Sequence, residues 1–391
     1  MEFKLTPDQE LMRDSICRLV EREINPLLER HDPNQTLPKS AFLAIFGKLA
    51  DLGLTAARLP EAAGGPGIKM IDYGIMFEQI PAAIGLSLIA QEASVARLYA
   101  ECNEEQRRRF LPDLIAGRKI GCTGSTEPDT GSDPRGITTR ITRQGDALVL
   151  SGRKMWITNV SACDLIFVTC LDCREGEARG KVVKVVVERE HSPFEAREID
   201  TIGLRQGLLG EVVFDNCRVP LANLIESSAG GTEVLKSSWV INRPLFGLLA
   251  VRIAQRACDI AVDYAKVRKQ FGKPIAAHQL IQKNLSDIVT AITTSRLLCY
   301  YALSLVDQGQ SAEGAAAMAK RYAQNACHEA VWQSMNVLGA MGLSTEAKVE
   351  ALYRDIRMIP IPDGTNEILA LIHGRELTGL AAFRGTAQTA H

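Results

Sequence analysis

Apolar positions change their spacing twice along the 391-residue chain. Near the N-terminus Leu11, Ile16, Leu19 and Val20 recur at helical intervals, and Thr6 followed by Pro7 supplies an N-cap and a first-turn proline. Gly64, Gly65 and Gly67 interrupt the pattern before a second apolar helical stretch from Ile71 to Ile80. From residue 119 the period shortens. Ala147 to Leu150, Leu165 to Leu171, Val182 to Val187 and Glu211 to Phe214 are short, β-branched and bounded by turns, as in a mostly antiparallel sheet. From about residue 233 long Ala- and Leu-rich helical stretches return, at Leu245 to Arg268, Leu285 to Asp307 and Ala312 to Gly339. They are apolar on several faces, so they must bury more than one side, against each other or against another subunit. The pattern predicts an α+β chain of three domains: helices over 1–118, a β domain over 119–228 and helices over 229–391, with Arg384 to His391 a frayed tail.

Composition narrows the function classes. Lys plus Arg (45) nearly balances Asp plus Glu (46), which argues against a nucleic-acid binder. Arg107, Arg108 and Arg109 form a local basic cluster, but Glu104 and Glu105 precede them, so a solvated, ion-paired helix face is expected. Met1 to Glu10 has no signal-peptide core, and no stretch approaches the ~18 apolar residues of a membrane span. Ten cysteines are scattered singly between Cys17 and Cys327, as free thiols in a reducing cytoplasm would be, so a cytoplasmic protein is expected. The pair Cys170 and Cys173 lacks the second pair of ligands a zinc site needs and reads as a strand end leading into the polar turn Asp172 to Gly180. No metal site is expected. No Gly-x-Gly-x-x-Gly or phosphate loop is present, so any nucleotide cofactor is not held in a Rossmann domain.

Five segments carry a family resemblance. Ser125 to Asp133 (Ser-Thr-Glu-Pro-Asp-Thr-Gly-Ser-Asp) resembles the T-E-P-x-x-G-S-D signature of acyl-CoA dehydrogenases. Lys154 to Asn159 resembles that family's K-x-x-I-T-N strand. Tyr264 to Gly272, followed by His278-Gln279, resembles its Y-A-x-x-R-x-x-F-G segment. Tyr353-Arg354-Asp355 and Gly364-Thr365-Asn366-Glu367-Ile368 match its Y-R-D and G-T-N-E-I pieces. The match runs through nearly the whole chain, in order.

The resemblance implies an N-terminal helical domain, a central antiparallel β domain and a C-terminal four-helix bundle. It implies a FAD enzyme that oxidises the α,β-bond of an acyl thioester, on CoA or a carrier protein. A carboxylate takes the α-proton and flavin N5 the β-hydride. Thr123, Ser125 and Thr126 match positions along the flavin, and Ser132 one near the thioester. Trp156 and Thr158 match the pair on the flavin's other side. In the family the bundle of one subunit reaches the FAD of its neighbour; Arg268, Phe271 and Gln279 match that set, as do Asn336 and Gly339, with Asn in place of the usual Gln and Ala340 in place of a glycine. Thr365 and Glu367 fall in a further cofactor-binding segment. A homotetramer and an electron-transfer flavoprotein as partner are implied too. Taken alone, Ser125 to Ser132 also fits a polar turn, Trp156 a core residue and Arg268 a solvent-facing one.

The base is where the sequence departs from the family. Its usual Y-E-G-T is here Pro362-Asp363-Gly364-Thr365, so the candidate base is Asp363, about 1.5 Å shorter than glutamate. Misplacing a catalytic group by ~1 Å can cost ~10²-fold. Asp363 also fits an N-cap for the helix that follows. The alternative base position of some relatives falls near Asn242, which cannot accept a proton. Gly364 and Arg243 match substrate-site positions, and Gln91 and Glu92 fall where an acyl pocket would end, with one of them expected to face solvent. A short or functionalised acyl thioester is the leading substrate. Nitroalkane oxidases, which use Asp on the same scaffold, flavin N-hydroxylases and a non-catalytic binding member are the alternatives.

Overall fold

The computed structural model describes residues 4–133, 136–173, 180–225, 231–380 and Ala382. The expected tail from Arg384 and most of the turn between Asp172 and Gly180 lie outside these residues. Thr6 caps α1 (Pro7–Leu19) through a reciprocal capping box with Gln9, as its position before Pro7 predicts. Then follow α2 (Asn25–Glu29), α3 (Lys39–Asp51), α4 (Met70–Phe77), α5 (Ala82–Glu101) and α6 (Glu104–Ile115). Helix α5 is buried along most of its length because it lies between α6, the sheet and the C-terminal helices.

The β domain contains β1 (Gly121–Gly124), β2 (Arg140–Gln144), β3 (Ala147–Thr158), β4 (Leu165–Asp172), β5 (Lys181–Glu188), β6 (Glu195–Glu198), β7 (Leu209–Pro220) and β8 (Leu224–Ile225). The order is β6-β7-β3-β2-β4-β5-β8, with β1 on β4. The sheet is mixed rather than uniformly antiparallel, since β4 runs parallel to both β1 and β2. Every residue of β4 is buried, which explains its unbroken apolar run in place of alternation. The register of β3 on β7 shifts between Lys154 and Ile157, and this irregularity re-aims the strand at Trp156.

The last domain comprises α7 (Gly231–Val267), a hairpin of β9 (Lys269–Gln270) and β10 (Lys273–Pro274), α8 (Gln279–Asp307), α9 (Glu313–Leu338), α10 (Val349–Ile356) and α11 (Asn366–Thr378). Helix α9 is central and packs on α7, α8, α10 and α11. Gly247 allows the close approach of α7 to its neighbours: a Cβ there would collide with Cys299 Sγ and press on Ala323.

One expectation needs correction and a second changes in its partner. By length and composition α8 is apolar enough to cross a membrane, and it is only partly buried within the chain. Its exposed Val289, Leu297 and Tyr301, with Tyr322 and Trp332 of α9, leave apolar surface uncovered on the bundle. The basic cluster is a solvated, ion-paired face, as expected, but its partner is Glu188 rather than Glu104 or Glu105: Arg107 lies over the Tyr99 ring, and Arg109 Nη2 donates to Glu188 Oε1 (2.9 Å) and Asn223 Oδ1 (3.1 Å).

The Tyr-Arg-Asp segment joins the last domain to the β domain. The half-buried Asp355 carboxylate accepts the Leu204 N–H (2.5 Å), and Arg354 Nη1 donates to Ile202 O (3.2 Å). Leu204 is held in a left-handed conformation, and Gly203 has no room for a Cβ against the Arg354 carbonyl. Asp355→Ala is expected to lower stability by about 1.5–3 kcal/mol, the worth of a bond to a charged acceptor, readable by urea unfolding.

Candidate active site

Two of the recognised segments are fastened together by a buried ion pair. Lys154 Nζ donates to Glu127 Oε1 (2.8 Å), and both side chains are almost fully enclosed. Glu127 also accepts from the Thr138 N–H (2.7 Å), its hydroxyl (2.7 Å) and the Thr139 N–H (3.0 Å). Burial alone would raise the Glu127 carboxyl, but Lys154 and the two threonines outweigh it and hold it at about 2. Next to the pair, Met155 N–H donates to Thr126 O (3.0 Å). The loop with Thr126 is therefore laid against the strand with Trp156.

Trp156 is not a core residue. It is 52 % exposed, with φ of 62° at the irregularity in β3. Among the described residues the Thr126 and Thr158 hydroxyls make no hydrogen bond. Ser125 and Thr123 make only long ones, to Thr169 (3.4 Å) and Ser94 (3.3 Å). An uncovered indole beside unspent hydroxyls is a donor set suited to a planar ring with polar edges. Ser132 is exposed at the end of this loop.

Asp363 sits two residues before Thr365, the N-cap of α11, so it is not the cap itself. Its backbone is left-handed, with φ of 53°. Asn242 Nδ2 donates to its Oδ2 (2.6 Å), and Arg58 Nη2 donates in turn to Asn242 Oδ1 (2.6 Å). Arg58 is paired with Glu92, whose Oε1 also accepts the Arg58 N–H (2.9 Å). Burial pushes the Glu92 carboxyl up to about 7 against the opposing pull of Arg58. Lys320, wholly buried in α9, donates to Gly364 O (2.8 Å) and to Pro362 O, the carbonyls on either side of Asp363. Burial pulls its ammonium down to about 7, although Asp363 favours the charge.

Several expected placements change. Gln91 and Glu92 are both fully buried, so neither faces solvent. Gln91 bonds Leu114 O (3.0 Å), Lys119 O (3.0 Å) and the Gly121 N–H (2.7 Å), joining α6 to β1, while Glu92 is occupied by Arg58. Arg243 is enclosed beneath Trp239, its Nε on Asp363 O (3.3 Å), rather than at an open entrance. Arg268, Phe271, Gln279, Asn336 and Gly339 are exposed, Phe271 by 93 %. The up–down course of α7, α8 and α9 puts these five at one end of the bundle. Asp363 lies at the other, separated by roughly 36 Å of α7 and about 24 Å of α9. One chain does not bring the two sets together. Thr365 stays beside Asp363, with Glu367 exposed in the first turn of α11.

Sequence reasoning missed Lys320, Arg58 and Arg97, all buried around Asp363. The signal was present: Arg58 and Arg97 are each a lone charge in an apolar run, and Lys320, followed by Arg321, ends the run Ala315-Ala316-Ala317-Met318-Ala319.

Comparison with known proteins agrees with this layout. Family profiles described as acyl-CoA dehydrogenase N-terminal, middle and C-terminal domains match residues 6–118, 122–217 and 229–378. A probable acyl-CoA dehydrogenase, YngJ, of Bacillus subtilis is 32 % identical over 387 residues, covering 96 % of this chain and all of that protein. Cyclohex-1-ene-1-carbonyl-CoA dehydrogenase of Geobacter metallireducens is 34 % identical over 379 residues, covering 95 % and 98 %. The solved butyryl-CoA dehydrogenase of Megasphaera elsdenii superposes with a TM-score of 0.88 at 28 % identity, covering 96 % of this chain and 100 % of that one.

Lys154→Met is expected to destabilise the fold by about 3–5 kcal/mol at pH 7, because Glu127 is left charged and enclosed. In the parent protein the Glu127 carboxyl is depressed, so its contribution is complete above its unfolded pKa and is lost as pH falls towards 2. The gap between parent and variant should therefore narrow on acidification below the unfolded carboxylate range, measured by urea unfolding at pH 7 and about pH 3.

Proposed function

The chain belongs to the acyl-CoA dehydrogenase family of FAD-dependent oxidoreductases acting on CH–CH bonds, and we propose that it desaturates a short or functionalised acyl thioester with Asp363 as the base. The observation that carries this reading is the treatment of Asp363: a carboxylate in a strained backbone, held by two anchored carbonyls and one side-chain donor.

The exposed Trp156, the free hydroxyls of Thr126 and Thr158, and Thr123 and Ser125 would hold one side and edge of FAD. Arg268, Phe271, Gln279, Asn336 and Gly339 of a second copy would hold the rest, because their own chain keeps them at the far end of the bundle. The uncovered apolar surface of α8 and α9 supports that assembly, which we propose is a tetramer. Bound FAD supplies the acceptor that takes the β-hydrogen with its electron pair.

The chain's own part is the α-proton. Asn242 occupies Asp363 Oδ2, and Oδ1 has no hydrogen-bond partner among the described residues, so Oδ1 receives the proton as the C–H pair becomes the new double bond. The Asp363 N–H makes no hydrogen bond among the described residues and would take charge developing on the thioester oxygen, while Gly364 closes the turn that begins at Ile361. Lys320 fixes both groups at once by gripping the carbonyls around them. Ser132 and Arg243 complete the substrate set; Glu92 acts through Arg58 and Asn242 rather than by touching substrate. A CoA or carrier-protein tether, an electron-transfer flavoprotein as acceptor and a cytoplasmic location belong to the same proposal.

Asp363→Asn should keep FAD and ligand binding and abolish anaerobic bleaching of the flavin by short acyl-CoAs; bleaching at the parent rate would remove Asp363 from the mechanism. Lys320→Met should lower kcat by ~10²-fold with little change in KM, as a base displaced by ~1 Å requires. Stopped-flow absorbance with a fluorescence assay of FAD content reads both.

A further inference from the structure

The side chains around Asp363 carry more positive than negative charge. Arg58 is matched by Glu92, and beside them Lys184 is matched by Glu101. Arg97, Arg243 and Lys320 remain, and the carboxylate they share is Asp363. Glu101 also lies near Arg97 and is already engaged by Lys184; Glu313, near Arg243, is engaged by Arg375 (2.9 Å). A lysine can shed its proton on burial, but a guanidinium cannot.

Arg97 and Arg243 are only 7 % and 3 % exposed. The single hydrogen bond of the Arg97 guanidinium among the described residues is a long one, Nε to Ser238 Oγ (3.4 Å). That of Arg243 goes to a backbone carbonyl. Two enclosed guanidinium groups that have no carboxylate of their own among the described residues are costly unless an anion joins them. Ser238 precedes Asn242 by one turn of α7, about 6 Å, so Arg97 stands roughly four carbon–carbon bonds of ~1.5 Å from the base. The diphosphate of CoA is a pantetheine arm away from the thioester, too far to serve both groups.

We propose that the acyl group carries a second carboxylate, which Arg97 binds at the enclosed end of the site while Asp363 acts on the α-carbon. This rests on the dehydrogenation reading and specifies its substrate class. Hydrophobic surroundings would favour an uncharged acyl chain; a fixed guanidinium reverses that preference and makes a plain fatty chain leave a buried cation unpaired.

The test is calorimetric titration of the holoenzyme with two thioethers that cannot be oxidised, S-(4-carboxybutyl)-CoA and S-pentyl-CoA. The carboxylated ligand should bind at least about tenfold more tightly, the fold-change expected of one charge-assisted hydrogen bond. Arg97→Met should bring the ratio of the two affinities close to one, and Arg97→Lys, which keeps the charge, should retain most of the preference. Equal or weaker binding of the carboxylated thioether, or a ratio unchanged in Arg97→Met with FAD content intact, would overturn the proposal. A parallel flavin-bleaching panel of glutaryl-, adipyl-, valeryl- and hexanoyl-CoA separates the two readings. Bleaching by the monoacids alone sinks the carboxylate site and leaves dehydrogenation standing, whereas bleaching by none sinks dehydrogenation itself.

Discussion

An ion taken out of water must find partners inside the protein, and this requirement organises the site. Lys154 and Glu127 satisfy each other and so lay the threonine loop against the tryptophan strand. Lys320 has no carboxylate in direct contact among the described residues and instead takes the two carbonyls that bracket Asp363. Arg58 spreads its charge over Glu92, Asn242 and the Ser238 carbonyl, which ties α5 to α7 at the level of the base. Each of these groups would be simpler to solvate at the surface. Enclosed, they convert the cost of burial into fixed positions for polar atoms that face a substrate.

Backbone strain points the same way. Trp156, Phe271 and Asp363 all adopt left-handed φ without being glycine. Such conformations persist where surrounding contacts over-determine them, and that is typical of ligand and catalytic sites. The neighbours explain two of the three: a register shift in β3 turns Trp156 outward, and Lys320 grips the residues around Asp363. Phe271 stands almost bare on the turn between β9 and β10, its ring in edge contact with His278. A bare aromatic beside an Arg268 that has no ion pair among the described residues is costly for an isolated chain and reasonable for one whose bundle meets a second copy.

Much of the fold was legible because periodicity records burial. Thr6 and Pro7 announced the first helix, and the β-branched run from Leu165 to Leu171 announced β4, though not that it is covered on both faces. The parallel pairing of β4 with β1 and β2 was not legible, since strand direction depends on connections rather than on side-chain pattern. In the site, the residues recognised by motif fall into separate sets within one chain, Thr126, Trp156 and Thr158 on a loop and strand of the β domain and Arg268, Phe271, Gln279, Asn336 and Gly339 at one end of the bundle. Lys320, Arg58 and Arg97 escaped notice because a charge within or at the end of an apolar run reads as a surface residue until its partners, distant in sequence, are known. Gln91 and Glu92 were misjudged for the same reason: their partners are Leu114, Lys119, Gly121 and Arg58, none of them nearby in the chain.

The account stands or falls on proton removal by Asp363. The direct measurement is proton NMR of solvent exchange in deuterium oxide, using a thioester with α-hydrogens and no β-hydrogen, such as 3,3-dimethylbutyryl-CoA. Desaturation is then impossible and only the base is read. The account predicts enzyme-dependent loss of the α-proton signal with the parent protein and none above the buffer rate with Asp363→Asn. Exchange by the variant at the parent rate would contradict it.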